Sequence, residues 1–438
     1  MAHPTRLVRS LLVCWMLASG PAGAADLLEI YRLGQAHDAQ YAAARAERLA
    51  AEERIPQGRA GLMPSVGLNA STAYNDADIV QPASGNQSYN TNSYSLQLTQ
   101  PLFRWQNLVQ FDQAKLAVAQ AEAAFSGAGQ ELALRVVQAY FDVLYAQDVL
   151  AFTQAQKTAI VQQLEQARRN FEVGTATIVD THEAQARHDL AVSQEIAAQN
   201  DLAVKQQSLT SIIGREAGAL SKFRDTLVIE RPQPDEAAAW AASAEASSPA
   251  VRAQQAAYEI AQREIERNRA AHYPTLDAVA SYNHNRNPVS PTASETNTQV
   301  VGLQLNLPIY AGGALRSRER EAVALAERAR NQADFTRRRA AQEARQAYLG
   351  VTSGIAQVKA LEAALASSLL ALDSNQTGME VGVRINIDVL NAQAQVFATR
   401  RDLARARYDT LLAQLKLKAT TGTLGEEDIR AINALLEK

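Results

Sequence analysis

Two patterns of apolar and polar positions alternate along the chain, one with the period of a helix and one with the period of a strand. In the long segments, apolar residues recur at alternating steps of three and four, as at Leu134, Val137, Phe141 and Leu144. This spacing is typical of the seam of a coiled coil. Four shorter segments alternate apolar and polar residues one by one, which indicates strands with a single apolar face. We therefore predict long packed helices combined with a small sheet.

The helical pattern fills two proline-free stretches of 130 residues each, Leu102–Arg231 and Ile309–Lys438. Both are rich in Ala, Gln, Leu, Glu and Arg, which are strong helix formers. Arg104–Val173 as one helix would be roughly 100 Å long at 1.5 Å per residue. Gly127 and Gly129 could interrupt this helix, and the pattern leaves both possibilities open.

The strand pattern covers residues 65–75, 94–100, 276–283 and 300–307. The members of each pair are joined by a polar loop, Asp76–Ser93 in the first and His284–Thr298 in the second. About ten residues is the length that a tilted strand needs to cross a bilayer. Aromatic residues gather near the strand ends, as they do at the membrane interfaces of outer-membrane barrels. These residues are Tyr74, Tyr94, Phe103, Trp105, Tyr273, Tyr282 and Tyr310. A small soluble sheet would show the same alternation, so the pattern alone does not distinguish a membrane sheet from a soluble one.

The number of strands limits what such a sheet can be. Four strands cannot close a barrel, and an open edge cannot face lipid because its unpaired backbone groups would each cost several kcal/mol. A membrane sheet of this chain must therefore be shared between copies, with eight, twelve or sixteen strands for two, three or four chains.

The chain is also a tandem duplication with an offset of 208 residues, since Val173–Asp180 returns as Val381–Asp388 with its Val-Gly and Asp in register. We predict two structural repeats, residues 25–237 and 238–438. Gly174 and Gly382 lie at the repeated position, and glycine favours the left-handed conformation that ends a helix. Residues 173–175 and 381–383 are accordingly predicted to be the tips of two helical hairpins.

Composition narrows the function further. Residues 1–24 read as a secretory signal peptide, with a basic start, an apolar core and an Ala-Gly-Ala cleavage site. Cys14, the only cysteine, lies within it, so the mature chain is expected to lack disulfides and thiolate metal sites. The net charge of −3 gives no reason to expect nucleic acid as a partner. The histidines and carboxylates show no metal-binding or catalytic spacing, so we expect neither a cofactor nor enzymatic activity.

Taken in order, the motifs of the chain resemble those of the TolC family of outer-membrane exit channels. The matching segments are Asp26–Tyr31, Ala139–Leu144, Phe171–Gly174, Leu307–Gly313, Val381–Arg384, Ile387–Leu390 and Gly422–Asp428. The resemblance implies a homotrimer with a 12-stranded β-barrel in the outer membrane and a 12-helix α-barrel that crosses the periplasm. It further implies a conduit for efflux of small molecules, type I protein secretion or both. A periplasmic adaptor protein and an inner-membrane ABC or RND transporter would open it.

The resemblance also assigns roles to residues at the hairpin ends. Asp388 matches the first of two acidic rings that narrow the family's pore, while Asn391 stands at the second ring. Arg384 and Asp180 match positions that hold the entrance shut by linking inner and outer helices. Met379 replaces the family's linking tyrosine. The adaptor-docking tips would be Val173, Gly174, Thr175, Val381, Gly382 and Val383.

Two other functions remain to be weighed against the channel. One is a periplasmic coiled-coil adaptor or scaffold without a pore, which would need no lipid-facing strands. The other is a solute-uptake porin. The long proline-free helices argue against the porin because porins are almost wholly β-strand.

Overall fold

A computed structural model describes residues 25–79, 85–175, 177–224, 228–288 and 294–437. The predicted signal peptide lies outside these residues. The elements in chain order are α1 (Leu27–His37), α2 (Ala39–Glu52), α3 (Arg54–Ala60), β1 (Ser65–Ile79), β2 (Gly85–Phe103), α4 (Trp105–Glu172), α5 (Ile178–Ile213), α6 (Ala237–Ser247), α7 (Pro249–Ala270), β3 (Thr275–Asn287), β4 (Ser294–Asn306), α8 (Ala314–Glu380), α9 (Asn386–Thr420) and α10 (Glu426–Asn433). The order strand, strand, long helix, shorter helix thus occurs twice.

The predicted long helices are present and uninterrupted. Helix α4 has 68 residues and α8 has 67, while α5 and α9 have 36 and 35. Gly127 and Gly129 lie within α4 without breaking it. A Cβ on Gly127 would lie 3.5 Å from Pro249, so this glycine lies where α7 begins against α4. Each long helix forms an antiparallel hairpin with the shorter helix that follows it, and α4 also packs along α7.

The four strands form one antiparallel sheet in the order β1-β2-β3-β4. They are longer than the sequence predicts, with 15, 19, 13 and 13 residues. The assignment of residues 76–93 and 284–298 to loops is therefore wrong in part. Pairs such as Asn75 with Tyr89 and Arg286 with Glu295 continue the ladders into them. Backbone pairing needs no apolar side chains, so the apolar alternation marks only part of each strand.

The register places the alternating apolar residues of all four strands on one face, whereas Val279 and Val300 lie on the other. Val66 pairs with Leu98 and Leu68 with Leu96; Leu98 in turn pairs with Ala280. The face continues through the pairs of Ala280 with Val301, Ala278 with Leu303 and Leu276 with Leu305. Val301, Leu303 and Leu305 are 87%, 69% and 67% exposed, so the face has no cover within the chain. An uncovered apolar sheet face of this extent suits contact with lipid.

The main core lies in the middle of the helical region. Seam positions predicted from the sequence, among them Val137, Phe141 and Leu144, are buried there together with Tyr408, Leu411 and Leu415. The fully buried Tyr140 donates a hydrogen bond to the carbonyl of Ser221 at 2.7 Å. Helices α1 and α10 and the segment around Phe223 close this core, and Phe223 forms an antiparallel bridge with Leu436.

One of the described helices, α8, is long and apolar enough to cross a membrane by length and composition alone. The sequence nevertheless has no run of 18 consecutive apolar residues. Most of the apolar stretch of α8 is exposed within one chain. At about 1.5 Å per residue the whole helix is roughly three times as long as a bilayer core is thick. The exposed apolar surface is of the kind that a neighbouring helix covers.

Candidate functional site

The first hairpin turns at Gly174, between α4 and α5. Gly174 has φ of 79°, and its N–H donates to the carbonyl of Phe171 at 3.0 Å. The N–H of Thr175 donates to the carbonyl of Asn170 at 2.8 Å. This pair of bonds is the Schellman motif, in which a left-handed residue lets the last carbonyls of a helix find donors. The structure thus places a hairpin tip at the predicted residues.

The second hairpin turns in the same way at Gly382, between α8 and α9. Gly382 has φ of 77°, and its N–H donates to the carbonyl of Met379 at 3.1 Å. The N–H of Val383 donates to the carbonyl of Gly378 at 2.9 Å. The same backbone bonds form 208 residues apart, so the two tips are local copies of one structure.

Both tips carry exposed apolar side chains. Val173 is 72% exposed, and Val381 and Val383 are 69% and 79% exposed. Four further apolar residues near the tips were not singled out from the sequence and are also exposed: Phe171, Ile178, Val179 and Ile385. Their nearness to the repeated Val-Gly pair could have identified them. Together with Val173, Val381 and Val383, these residues are called the tip surface below.

The helices that leave the two tips begin differently. At the start of α5, the backbone N–H and hydroxyl of Thr177 donate to Asp180 Oδ2 at 2.9 and 2.8 Å. The N–H of Asp180 donates back to the Thr177 hydroxyl at 3.4 Å. This is a capping box, in which the side chains satisfy two backbone donors at a helix start. Asp180 therefore has a structural role within the first hairpin.

At the start of α9, the residue equivalent to Thr177 is Ile385, which has no side-chain acceptor. Asp388 instead lies 3.7 Å from the Arg384 guanidinium, in an ion pair four residues apart. The side chains of Arg384 and Asp388 are 58% and 34% exposed. A pair this exposed and this long contributes little stability. Asp388 is thus held less tightly than Asp180.

The backbone of Arg384 lies beside the end of α8. Its N–H donates to the carbonyl of Gly378 at 3.0 Å, and a Cβ on Gly378 would lie 2.8 Å from Arg384 Cγ. The stem of Arg384 therefore packs over Gly378, and a larger residue there would displace it. Met379, at the family's tyrosine position, is half-buried and has no hydroxyl to donate.

Asn391 is bound from the other hairpin. The Arg187 guanidinium of α5 donates to Asn391 Oδ1 at 3.0 Å. Beside this bond, Ile160 of α4, Ala191 of α5 and Leu390 of α9 form a small buried apolar cluster. No local pattern points to Arg187, because its partner lies 204 residues away.

Among the described residues, no group of three or more His, Cys, Asp or Glu side chains could hold a metal ion. The hairpin ends offer two hydrogen-bonded glycine turns, an exposed apolar surface and a small set of charged residues near the start of α9.

The chain matches known proteins over almost its whole length. A family model described as outer membrane efflux protein matches residues 31–215 and 240–423. The chain is 32% identical over 430 residues to outer membrane protein TolC of Escherichia coli (strain K12), covering 95% of this chain and 86% of that protein. It is 31% identical over 436 residues to the proteases secretion protein PrtF of Dickeya chrysanthemi, covering 97% of this chain and 94% of that protein. The crystal structure of the Campylobacter jejuni CmeC outer membrane channel superposes with a TM-score of 0.79 at 15% identity. The superposition covers 94% of this chain and 90% of that one.

These similarities settle the choice between the functions weighed from the sequence. The chain is an outer-membrane exit channel of efflux and secretion systems, not an enzyme, a pore-free periplasmic adaptor or an uptake porin. Its sheet is a share of a membrane β-barrel and its long helices are a share of a periplasmic tunnel. The expectation taken from the motif resemblance is confirmed: this chain belongs to the outer membrane efflux protein family.

Proposed function

We propose that three copies of this chain form one conduit whose periplasmic entrance lies at the ends of the two hairpins. The observation that carries this proposal is the difference between the equivalent residues Asp180 and Asp388. The first is fixed in a capping box, and the second makes only a long ion pair. An acid outside a cap can present its charge to a pore. We also propose that each copy consists of two structural repeats, with the boundary between residues 237 and 238.

In this proposal Asp388 forms the narrowest acidic ring of the entrance. Three carboxylates about 7 Å apart repel one another by roughly 2 kcal/mol per pair at an effective dielectric constant near 20. Such a ring attracts cations and rejects anions. The same repulsion favours a wider entrance, so closure must be supplied by other contacts. Asn391, one turn further along α9, would border the same constriction without adding charge.

Arg384 and Asp180 are proposed to supply part of that closure as a latch. Both capping bonds of Asp180 go to Oδ2, so Oδ1 can accept a further bond. Arg384 is largely exposed and begins next to the second tip. A guanidinium from a neighbouring copy could then donate to Asp180 while its cap stays intact. Charge-assisted bonds of this kind are about twice as strong as neutral ones.

The tip surface is proposed to dock a periplasmic adaptor protein. Val173, Gly174 and Thr175 form the first docking tip, and Val381, Gly382 and Val383 form the second. Exposed valines beside a glycine present a low apolar knob, which fits a groove between helices. The adaptor would couple the channel to an inner-membrane transporter of the ABC or RND type. The cargo would then be selected by that transporter.

Planar-bilayer recording of the purified protein tests the proposed entrance. We expect a cation-selective channel that is closed for most of the time and opens more often when the cognate adaptor is added. A permanently open channel would contradict the latch. An anion-selective channel would contradict the Asp388 ring.

A further inference from the structure

The hydrogen bond between Arg187 and Asn391 joins two helices that otherwise meet little. Helix α5 belongs to the first hairpin and α9 to the second, and the bond spans 3.0 Å from the guanidinium to the amide oxygen. The neighbouring residue, Leu390, is 4% exposed and packs between Ile160 and Ala191. Ala191 lies one helical turn after Arg187 on the same face of α5. A polar bond and an apolar contact thus hold α9 to the first hairpin at one level.

We propose that Arg187 and Asn391 form a tie within each subunit that stabilises the closed entrance. This inference rests on the proposed function, since it assumes that the second hairpin moves relative to the first when the channel opens. Separating α9 from α5 would break the hydrogen bond and withdraw Leu390 from its cluster. An amide at position 391 accepts this bond without adding a charge to the pore. Asn391 is then a positioning residue for closure, and its role differs from that of Asp388.

The chain offers a matched control. Arg168 of α4 donates to the amide oxygen of Gln185 of α5 at 2.8 Å. This bond has the same donor and acceptor types as the tie, but both of its helices belong to the first hairpin. Its loss should not affect how the two hairpins separate.

The test compares leak conductance of Arg187→Met and Arg168→Met in planar bilayers. Each variant loses one hydrogen bond made by a charged guanidinium, but only the bond of Arg187 joins the two hairpins. The tie therefore predicts that open probability rises about threefold or more for Arg187→Met and stays at the wild-type level for Arg168→Met. Arg187→Lys keeps a donor and should recover part of the closure. Adding Asn391→Leu to Arg187→Met should raise the leak little further, because both changes remove the same bond. Equal leak in the two Met variants would overturn the tie.

Asn391→Asp gives a second readout that does not depend on how well the Met variants assemble. In the closed tie, the new carboxylate is paired with Arg187 by a charge-assisted bond, so the leak should fall or stay at the wild-type level. A leak clearly above that of the wild type would also overturn the proposal. Loss of the tie is distinguishable from failure of the proposed function: a wild-type protein without any cation-selective conductance would overturn the proposed function itself.

Discussion

Asp180 and Asp388 occupy the same position in two copies of one hairpin, yet only Asp180 caps its helix. The difference follows from one residue three positions earlier, which is Thr177 in the first copy and Ile385 in the second. A hydroxyl at the start of α5 binds the carboxylate and orients it along the helix. Without the hydroxyl, Asp388 is left with Arg384 as an exposed partner. The duplicated sequence therefore supports helix capping in one repeat and leaves the equivalent acid of the other repeat outside a cap.

The Asp388 ring predicts a change in ion selectivity. Asp388→Asn removes three negative charges from the entrance of a trimer with little change in side-chain shape. We expect the cation-to-anion permeability ratio, measured from reversal potentials in a salt gradient, to fall about threefold or more. The control is Asp409→Asn, because Asp409 forms a similar exposed ion pair with Arg405 at 3.6 Å, farther along α9 from the tips, and its loss should leave the ratio unchanged. A ratio unaffected by Asp388→Asn would remove this residue from the constriction.

The proposed latch predicts a leak. Arg384→Ser removes the guanidinium that would bind across subunits, so the resting open probability in planar bilayers should rise severalfold. Arg405→Ser is the matched control, because Arg405 and Asp409 form an ion pair of similar length, 3.6 Å, at the same spacing on α9. Both pairs are exposed and contribute little to stability. If Arg405→Ser leaked as much as Arg384→Ser, the effect would come from α9 as a whole and the latch would be wrong.

The tip surface predicts a loss of adaptor binding without a loss of folding. Val383→Asp places a charge on a residue that is 79% exposed, so the free protein should be stable. Burying that charge in an adaptor groove should weaken binding by about tenfold or more, measured by surface plasmon resonance with immobilised adaptor. Val228→Asp is the control, since Val228 is 75% exposed and lies outside the tips. Equal affinity of the two variants would place the docking site elsewhere.

The sheet predicts that two adjacent residues differ sharply in their tolerance of charge. Leu98 lies on the apolar face beside Val66 and Ala280, whereas Gln97 lies on the opposite face beside Gly67 and Ser281. An arginine on the lipid face costs about 2–4 kcal/mol at the bilayer midplane. Leu98→Arg should therefore abolish trimer assembly in outer-membrane fractions, measured by native gel electrophoresis.

Gln97→Arg, which would face the pore, should assemble as the wild type does. Normal assembly of both arginine variants would show that this face does not contact lipid.

The central core predicts a pH-dependent stability. Burial raises the pKa of Asp148 above its ordinary value, although the Tyr408 hydroxyl donates to it at 2.7 Å and acts in the opposite direction. The folded chain favours the protonated form of Asp148. The contribution of this acid to the free energy of unfolding is therefore fully present below its unfolded pKa and is lost as pH rises through its folded pKa. Asp148→Asn stays neutral and escapes this loss. The Tm of the variant minus that of the wild type should therefore increase between about pH 3.5 and pH 7.

Tyr408→Phe provides the companion measurement for this acid. Without the donated hydroxyl, the pKa of Asp148 should rise further, and the wild-type loss of stability should shift to higher pH. A difference in Tm between Asp148→Asn and wild type that does not vary with pH would contradict the account of this core.

Periodicity was enough to predict the large elements. The seam residues Val137, Phe141 and Leu144 are buried as expected, and the apolar strand positions share one face. The two glycine turns were predictable because only a left-handed residue closes a Schellman motif, and the duplication marks that residue twice. What periodicity missed is the polar continuation of the strands beyond residue 75. Cross-strand hydrogen bonds there have no apolar pattern.

The contacts between the two hairpins, and those between helix and sheet, were harder to predict for a different reason. Arg187 and Asn391 lie far apart in the chain, and nothing near either residue indicates the other. The same holds for Arg104, which forms two hydrogen bonds with the buried Asp277 at the junction of helix and sheet. Such pairs depend on how two repeats dock, which is not encoded in local spacing. The assignment of Asp388 and Arg384 came from a family resemblance, and the structure adds how each is held.

The most direct test of the account is the mass of the detergent-solubilised particle by native mass spectrometry. The sheet of one chain ends at β1 and β4, and an open sheet edge cannot face lipid. We predict a particle with three times the mass of the mature chain, which closes twelve strands into a barrel. A stable, water-soluble particle with the mass of a single chain would contradict the shared pore and the entrance built on it.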